Sequence, residues 1–246
     1  MKISLFGLLA SVTLAVALPA HAEVKTIVLV HGAFADGSGW KAIADILQPR
    51  GYTVRVVQEP LTAFEADVAA VRRALQKAGP CVLVGHSYAG MLITEAGLHP
   101  SVKALVYVAA FLPDAGESAG ALQSKTPPAG NSVEPVGDGF LQINLDAFPN
   151  DFAADVAKPV ARFMAISQAP IAESTFGAKV TVAAWKERPS YAVIPKQDRL
   201  INPELHRFMT KRAGAQTIEL QGSHAIFLSQ PKEVAALIEK AARASK

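Results

Sequence analysis

One stretch decides how this chain folds: residues 82–90 read VLVGHSYAG. Its first half is a short apolar run of the kind that forms a buried strand, and MLITEA at 91–96 suits a helix. Ser87 lies at the junction, with Gly85 two residues before it and Ala89 two residues after it. A serine on so sharp a turn has a strained backbone, and bulky neighbours at those two positions would collide with it. The pattern predicts a nucleophile elbow, although a plain strand, turn and helix with an incidental serine is the alternative.

The strand in this stretch belongs to a longer alternation of strands and helices. Apolar runs that predict strands, separated by segments of helical periodicity, occur at 24–30, 53–57, 81–84 and 102–109. The alternation returns with strands at 191–194 and 216–220 and helices at 203–212 and 231–242. The strands are apolar throughout, which is typical of a parallel sheet covered on both faces. We therefore expect an α/β fold with a mostly parallel sheet and helices on both faces.

The regular alternation stops between about residues 112 and 185. This segment is rich in proline and contains several aromatic side chains. It is too apolar for a disordered linker and too broken for another strand and helix unit. We interpret it as an inserted cap of short helices over the strand ends, and a second core layer without a ligand role is the alternative.

The first 22 residues of the 246-residue chain have the pattern of an export signal. Lys2 provides positive charge, residues 3–16 are a short apolar stretch, and AHA at 20–22 is a small-x-small cleavage pattern. We expect a mature domain at 23–246 that is periplasmic or secreted. An uncleaved membrane anchor is the alternative, but the apolar stretch is short for a membrane span.

The formal net charge of +3 comes from scattered side chains, so no nucleic-acid or membrane-surface partner is predicted. Cys81 is the single cysteine, which excludes an internal disulfide, and no Cys/His cluster has zinc spacing. We expect neither a metal nor a cofactor. The oligomeric state is left open.

Ser87 needs a base to act as a nucleophile, and His224 is the best candidate among six histidines. It follows the last predicted strand in the loop GSH at 222–224. His31 is better explained as a residue that braces a glycine loop, and His86 should point away from the turn. The others fall in the signal or in helical contexts: His21, His99 and His206.

An acid must orient the base, and Asp198 and Asp114 both follow predicted strands. We favour Asp198, because Ser87, Asp198 and His224 then occur in the order nucleophile, acid, base. Asp114 is readily explained as a turn or cap residue. The oxyanion of the transition state needs two N–H donors, for which we expect the backbone of Tyr88 and of Ala33 in the glycine loop.

Together these motifs resemble the α/β-hydrolase superfamily over essentially the whole mature chain. The closer resemblance is to the branch of plant methylesterases, hydroxynitrile lyases and bacterial esterases, through HGA at 31–33, Trp40, GHS at 85–87, KQDR at 196–199, GSH at 222–224 and SQP at 229–231. The lyases have a threonine after the loop histidine and a lysine after the catalytic histidine. Here Gly32 and Ala225 occupy those positions, so the resemblance favours ester hydrolysis.

We therefore expect an exported serine hydrolase that cleaves a small hydrophobic carboxylic ester through an acyl-enzyme. Other interpretations are cofactor-free perhydrolysis, in which peroxide is the acceptor, and cleavage of lactones or amides. A ligand-binding protein that keeps the triad but turns over negligibly is the alternative from another class.

Overall fold

The computed structural model describes residues 24–245, and the predicted export signal lies outside them. Within this part of the chain no helix is long and apolar enough to cross a membrane. The strands are β1 (Thr26–Val30), β2 (Thr53–Val57), β3 (Cys81–His86), β4 (Val102–Val108), β5 (Val133–Gly137), β6 (Phe140–Ile143), β7 (Ile171–Ala172), β8 (Ser190–Pro195) and β9 (Gln216–Leu220). The helices are α1 (Lys41–Leu47), α2 (Phe64–Gln76), α3 (Ala89–Ala96), α4 (Ala119–Lys125), α5 (Phe148–Asp151), α6 (Lys158–Ser167), α7 (Ser174–Gly177), α8 (Pro203–Arg212), α9 (Ile226–Ser229) and α10 (Pro231–Ala244).

Six strands form one sheet in the order β2-β1-β3-β4-β8-β9, and every neighbouring pair is parallel. Every residue of the central strand β3 is buried, whereas the edge strands β2 and β9 keep exposed side chains. Helix α1 packs against α10, and α2 packs against α3. The predicted α/β fold with a mostly parallel sheet is therefore confirmed.

The insertion between β4 and β8 contains the predicted short helices, α4 to α7, and also a feature that the sequence analysis did not predict. Strands β5, β6 and β7 form a small antiparallel sheet. The turn from β5 to β6 has positive φ angles at Gly137, Asp138 and Gly139. Asp-Gly is a strong hairpin signal, but Pro135 inside β5 weakens the strand pattern that should precede it.

Parallel strands bring the loops after them to one edge of the sheet. The loops that follow β1, β3, β8 and β9 carry Gly32, Ser87, Asp198 and His224. The candidate site is therefore assembled at the carboxyl ends of four strands, three of them interior and one, β9, at the edge of the sheet.

Candidate active site

Ser87 occupies the turn between β3 and α3 with φ of 54°, in the left-handed region that non-glycine residues rarely adopt. Its backbone N–H donates to the carbonyl of Val108 at 3.2 Å, and its carbonyl accepts from Gly90 and Phe111 at 3.0 and 3.1 Å. These three bonds hold the strained turn in place. The side chain of Ser87 borders a cavity.

The glycines around Ser87 are required by close contacts between backbones. A Cβ at Gly85 would lie 2.8 Å from the carbonyl oxygen of Ala89, and one at Gly90 would lie 1.9 Å from that of Phe111. Ala89 is fully buried with its methyl group accommodated. The second position that demands glycine is therefore 90, and an alanine at 89 is compatible with the turn.

His224 and Asp198 are brought together by the loops after β9 and β8. Nδ1 of His224 lies 2.8 Å from Oδ2 of Asp198, and both side chains are buried. The other carboxylate oxygen, Oδ1, accepts the backbone N–H groups of Leu200 and Ile201 at 2.9 and 3.0 Å. Burial acts to raise the pKa of Asp198, but the neighbouring His224 and His206 outweigh it and hold that pKa well below its ordinary value.

The second ring nitrogen of His224 is available for proton transfer. Nε2 is buried and has no hydrogen-bond partner among the residues that the structure describes. Because Nδ1–H donates to a carboxylate, Nε2 carries the lone pair that a general base needs. Rings of His86 and Phe152 pack against His224 at centroid distances of 4.7 and 5.1 Å.

The side chain of His86 contacts both the backbone and the ring of His224. Its Nε2 is 3.0 Å from the backbone carbonyl oxygen of His224. Complete burial, and then the nearby His224, lower the pKa of His86 well below its ordinary value. A neutral His86 supports the loop of His224 without adding a charge to it.

The loop after β1 lies directly against the elbow. A Cβ at Gly32 would approach Cβ of Ser87 to 2.8 Å and the carbonyl oxygen of His86 to 2.9 Å. Ala33, the next residue, lines the same cavity as Ser87, and Tyr88 follows Ser87 directly. Of the two residues expected to supply oxyanion donors, Tyr88 is therefore adjacent to Ser87 in the chain, and Ala33 follows the glycine that approaches Ser87.

Asp114, the other candidate acid, lies outside this arrangement. Its carboxylate accepts from Nζ of Lys186 at 2.5 Å and from the N–H of Ala115 at 2.8 Å. The hydrogen bond from Lys186 lowers its pKa. The structure thus pairs His224 with Asp198, and Asp114 with a surface lysine.

Three buried titratable side chains near the site were not anticipated: His206, Glu59 and Asp67. Nε2 of His206 lies 3.0 Å from Oδ2 of Asp198. Oε1 of Glu59 lies 3.2 Å from Nδ1 of His31, and Oδ2 of Asp67 accepts the hydroxyl of Tyr88 at 3.0 Å. The helical context of His206 gives no indication of this contact, and Glu59 and Asp67 carry no motif that would single them out.

The cavity beside Ser87 has a volume of about 460 Å³ and extends under the cap. Phe34, Phe111 and Phe176 contribute aromatic surface, and Leu141 comes from the small cap sheet. Glu173 is the one charged side chain among the described residues that line it. Within the same part of the chain, no group of three His, Cys, Asp or Glu side chains could hold a metal ion.

The family model described as "Alpha/beta hydrolase family" matches residues 27–237. The chain belongs to this family. It is 30% identical to the protein named "Alpha/beta hydrolase nvfD" from Aspergillus novofumigatus over 244 residues, which cover 88% of this chain and 96% of the relative. The mostly parallel sheet with its elbow serine is thus the α/β-hydrolase fold.

Two further relatives and a solved structure extend the comparison. A carbendazim hydrolyzing esterase from a Nocardioides species is 30% identical over 138 residues, 50% of this chain and 57% of that protein. A pyrethroid hydrolase from Sphingobium wenxiniae is 26% identical over 250 residues, 87% and 86% of the two chains. The structure of an Arabidopsis methylesterase matches with a TM-score of 0.74 at 18% identity, over 89% and 98% of the chains. Homologues of this chain are therefore esterases and hydrolases, which supports ester hydrolysis, and the methylesterase structure shares the fold.

Proposed function

We propose that this protein is an exported serine esterase in which Ser87, His224 and Asp198 form the catalytic triad. The observation that carries the proposal is the 2.8 Å contact between His224 and Asp198 at the same sheet edge as a serine on a strained elbow. Ester-hydrolysing relatives support the reaction class. The signal pattern at residues 1–22 supports export to the periplasm or the medium.

In the acylation step, Oγ of Ser87 attacks the ester carbonyl carbon while Nε2 of His224 accepts the hydroxyl proton. The carbonyl oxygen becomes an oxyanion, which the backbone N–H groups of Ala33 and Tyr88 stabilise. His224 then donates its proton to the leaving alkoxide, and an alcohol departs. Asp198 remains ionised throughout and stabilises the imidazolium by charge and orientation.

In the deacylation step, water attacks the acyl-enzyme carbonyl as His224 accepts its proton. The second tetrahedral intermediate collapses, Ser87 recovers its proton from His224, and a carboxylic acid is released. Protons and electrons balance within the triad and water, so no step needs an external oxidant or reductant.

The substrate class follows from the cavity. Its aromatic and aliphatic lining favours an apolar ester, and Glu173 disfavours a substrate that carries a negative charge close to it. Two relatives are named for hydrolysis of carbendazim and pyrethroids. We therefore assign uncharged, hydrophobic esters of small molecules as substrates.

The test uses the purified mature protein with short- and medium-chain p-nitrophenyl esters and a fluorophosphonate probe. Ser87→Ala and His224→Ala should each lower kcat by about 10⁴-fold or more, and Ser87→Ala should abolish labelling. Ser124→Ala is a control for labelling, because Ser124 is another serine of the same cavity, and His99→Ala is a control for kcat, because His99 contacts Ser101 and does not line that cavity. Wild-type turnover that survives in Ser87→Ala would overturn the proposal. Amino-terminal sequencing of the processed protein should begin at Glu23.

A further inference from the structure

Asp198 accepts hydrogen bonds from two imidazoles on the same oxygen. Nδ1 of His224 lies 2.8 Å from Oδ2, and Nε2 of His206 lies 3.0 Å from that atom. All three side chains are almost completely buried. His206 therefore contacts the proposed triad through its acid, without lining the cavity that Ser87 borders.

We propose that His206 is a positioning residue of the esterase site, which fixes the Asp198 carboxylate so that it holds His224 in the reactive orientation and tautomer. This inference rests on the proposed function. His206 acts through Asp198 and does not touch the reacting atoms.

The hydrogen-bond inventory of Asp198 supports this role. Four donors converge on its two oxygens: the backbone N–H groups of Leu200 and Ile201 on Oδ1, and the two imidazoles on Oδ2. The donors on Oδ1 come from the loop that carries Asp198 itself. His206 supplies a donor on Oδ2 from outside that loop, so rotation of the carboxylate about its Cβ–Cγ bond is opposed on both oxygens.

His206 lies on a helix, which gives its N–H donor a rigid support. Asp198 and His224 both lie on loops, whereas His206 is the fourth residue of α8. Pro203 begins that helix, and the side chain of Asn202 caps it by accepting from the N–H of Glu204 at 3.0 Å. The hydroxyl of Thr210 donates to the carbonyl of His206 at 2.9 Å. A helix held in this way gives the carboxylate a more rigid partner than a loop could.

The contact also fixes two tautomers. An ionised carboxylate only accepts hydrogen bonds, so His206 must carry its proton on Nε2 and His224 must carry its proton on Nδ1. In that state Nε2 of His224 is unprotonated and faces no described partner. Without the donor from His206, Oδ2 would be held by His224 alone. The side chains of Asp198 and His224 could then rotate together away from Ser87.

The experiment compares His206→Gln with His206→Met in the full mature protein, using a p-nitrophenyl ester. The two replacements have similar size and shape, but only glutamine has an N–H donor. We expect His206→Met to lower kcat by about 10- to 30-fold with KM within about twofold of wild type, and His206→Gln to recover kcat to within about threefold. His99→Met, a histidine change away from Asp198, serves as the control and should leave kcat and KM unchanged.

A merely structural role predicts a different result. Both variants would then lose thermal stability and keep the kcat of the folded fraction, which circular dichroism and kcat measured on the same samples would reveal. A wild-type kcat in His206→Met, or an equal loss of kcat in the two variants, would overturn the proposal.

Tautomers give a readout that does not depend on turnover. Spectra of isotope-labelled histidine should show His224 protonated on Nδ1 in wild type and in His206→Gln, and a mixture of tautomers in His206→Met. An unchanged His224 tautomer in His206→Met would contradict the positioning role. Absence of wild-type esterase activity would instead count against the proposed function, so the two failures are distinguishable.

Discussion

Two buried carboxyl groups lie beside imidazole rings in this molecule, and their hydrogen bonds differ completely. Asp198 accepts from four donors, two of them the imidazoles of His224 and His206. Glu59 lies 3.2 Å from His31, yet neither of its oxygens has a hydrogen-bond partner among the described residues. The pKa of Asp198 is held well below its ordinary value, whereas burial, and then the nearby Asp67, raises the pKa of Glu59 well above its own.

Asp198 and Glu59 are buried to a similar extent, so the opposite shifts of their pKa values come from the hydrogen-bond donors around each carboxyl group. A buried carboxylate loses its hydration in both places, and only at Asp198 do N–H groups replace the lost water. Burial also lowers the pKa of His31, so burial acts against the charged form of both members of the pair that Glu59 and His31 make beside the glycine loop. Asp67 lies between Asp198 and Glu59 in the number of its hydrogen-bond donors. It accepts from the backbone N–H of Leu61 and from the hydroxyl of Tyr88, and burial raises its pKa.

The largest expected effect comes from removal of the charge at Asp198. Asp198→Asn should lower kcat by about 10³- to 10⁴-fold, because an amide neither stabilises the imidazolium nor enforces the Nδ1–H tautomer of His224. Steady-state kinetics and thermal unfolding on the same preparations measure the loss. A decrease of less than about tenfold would contradict the comparison, since it would mean that the charge at Asp198 is dispensable.

A smaller effect, on stability, is expected when Asp67 loses one of its two donors. Tyr88→Phe removes one of the two donors of Asp67 and should lower the free energy of unfolding by about 1–2 kcal/mol. Tyr107→Phe is the matched control, because the hydroxyl of Tyr107 pairs with the neutral hydroxyl of Thr94 at 2.9 Å. Urea unfolding of both variants should show the greater loss in Tyr88→Phe. Equal losses would mean that the charge of Asp67 contributes nothing to the bond.

The smallest effect on activity is expected at Glu59. Glu59→Gln removes a carboxyl whose charged form burial disfavours and should leave kcat within about threefold of wild type. The raised pKa has a consequence for stability. A carboxyl whose folded pKa exceeds its unfolded value contributes stability at low pH and loses it as the pH rises between the two values.

Wild-type stability should therefore fall relative to Glu59→Gln as the pH rises above 4.5, the ordinary pKa of Glu59, by up to about 1.4 kcal/mol per pH unit. Urea unfolding of both proteins at successive pH values from 5 to about 8 measures the difference. Parallel stability curves would show that Glu59 ionises in the fold as it does in the unfolded chain.

The sequence predicts the sheet well because local pattern and global fold agree there. The predicted strands at 53–57 and 216–220 have those bounds, and the helix at 203–212 does also. Chain order together with the strand ends leads to Ser87, Asp198 and His224, which the structure gathers at one edge. Apolar runs and small-residue spacing are local properties, so one sequence is enough to reveal them.

The residues that the sequence did not reveal depend on packing between distant segments. His206 lies eight residues after Asp198, and the turn between β8 and α8 returns the chain so that His206 contacts the carboxylate of Asp198. Glu59 stands in a polar-looking stretch, QEP at 58–60, and nothing local shows that it is buried against the loop of His31. Burial of an acid is a tertiary property, and so is its pKa.

The bonds that hold Ser87 also define where this protein can be re-engineered. Ser87 is tied to Val108 and Phe111, and Gly90 lies against the carbonyl of Phe111, so the segment that leads into the cap is part of the elbow itself. Beyond Phe111 the chain leaves Ser87 and contributes most of the residues that line the cavity from the cap. A cassette spliced downstream of Phe111 would therefore keep these bonds of Ser87, whereas a graft that begins a few residues earlier would remove them. Such a cassette must still supply the cap residue Phe152, whose ring packs against His224 and whose carbonyl accepts from the N–H of Ala225.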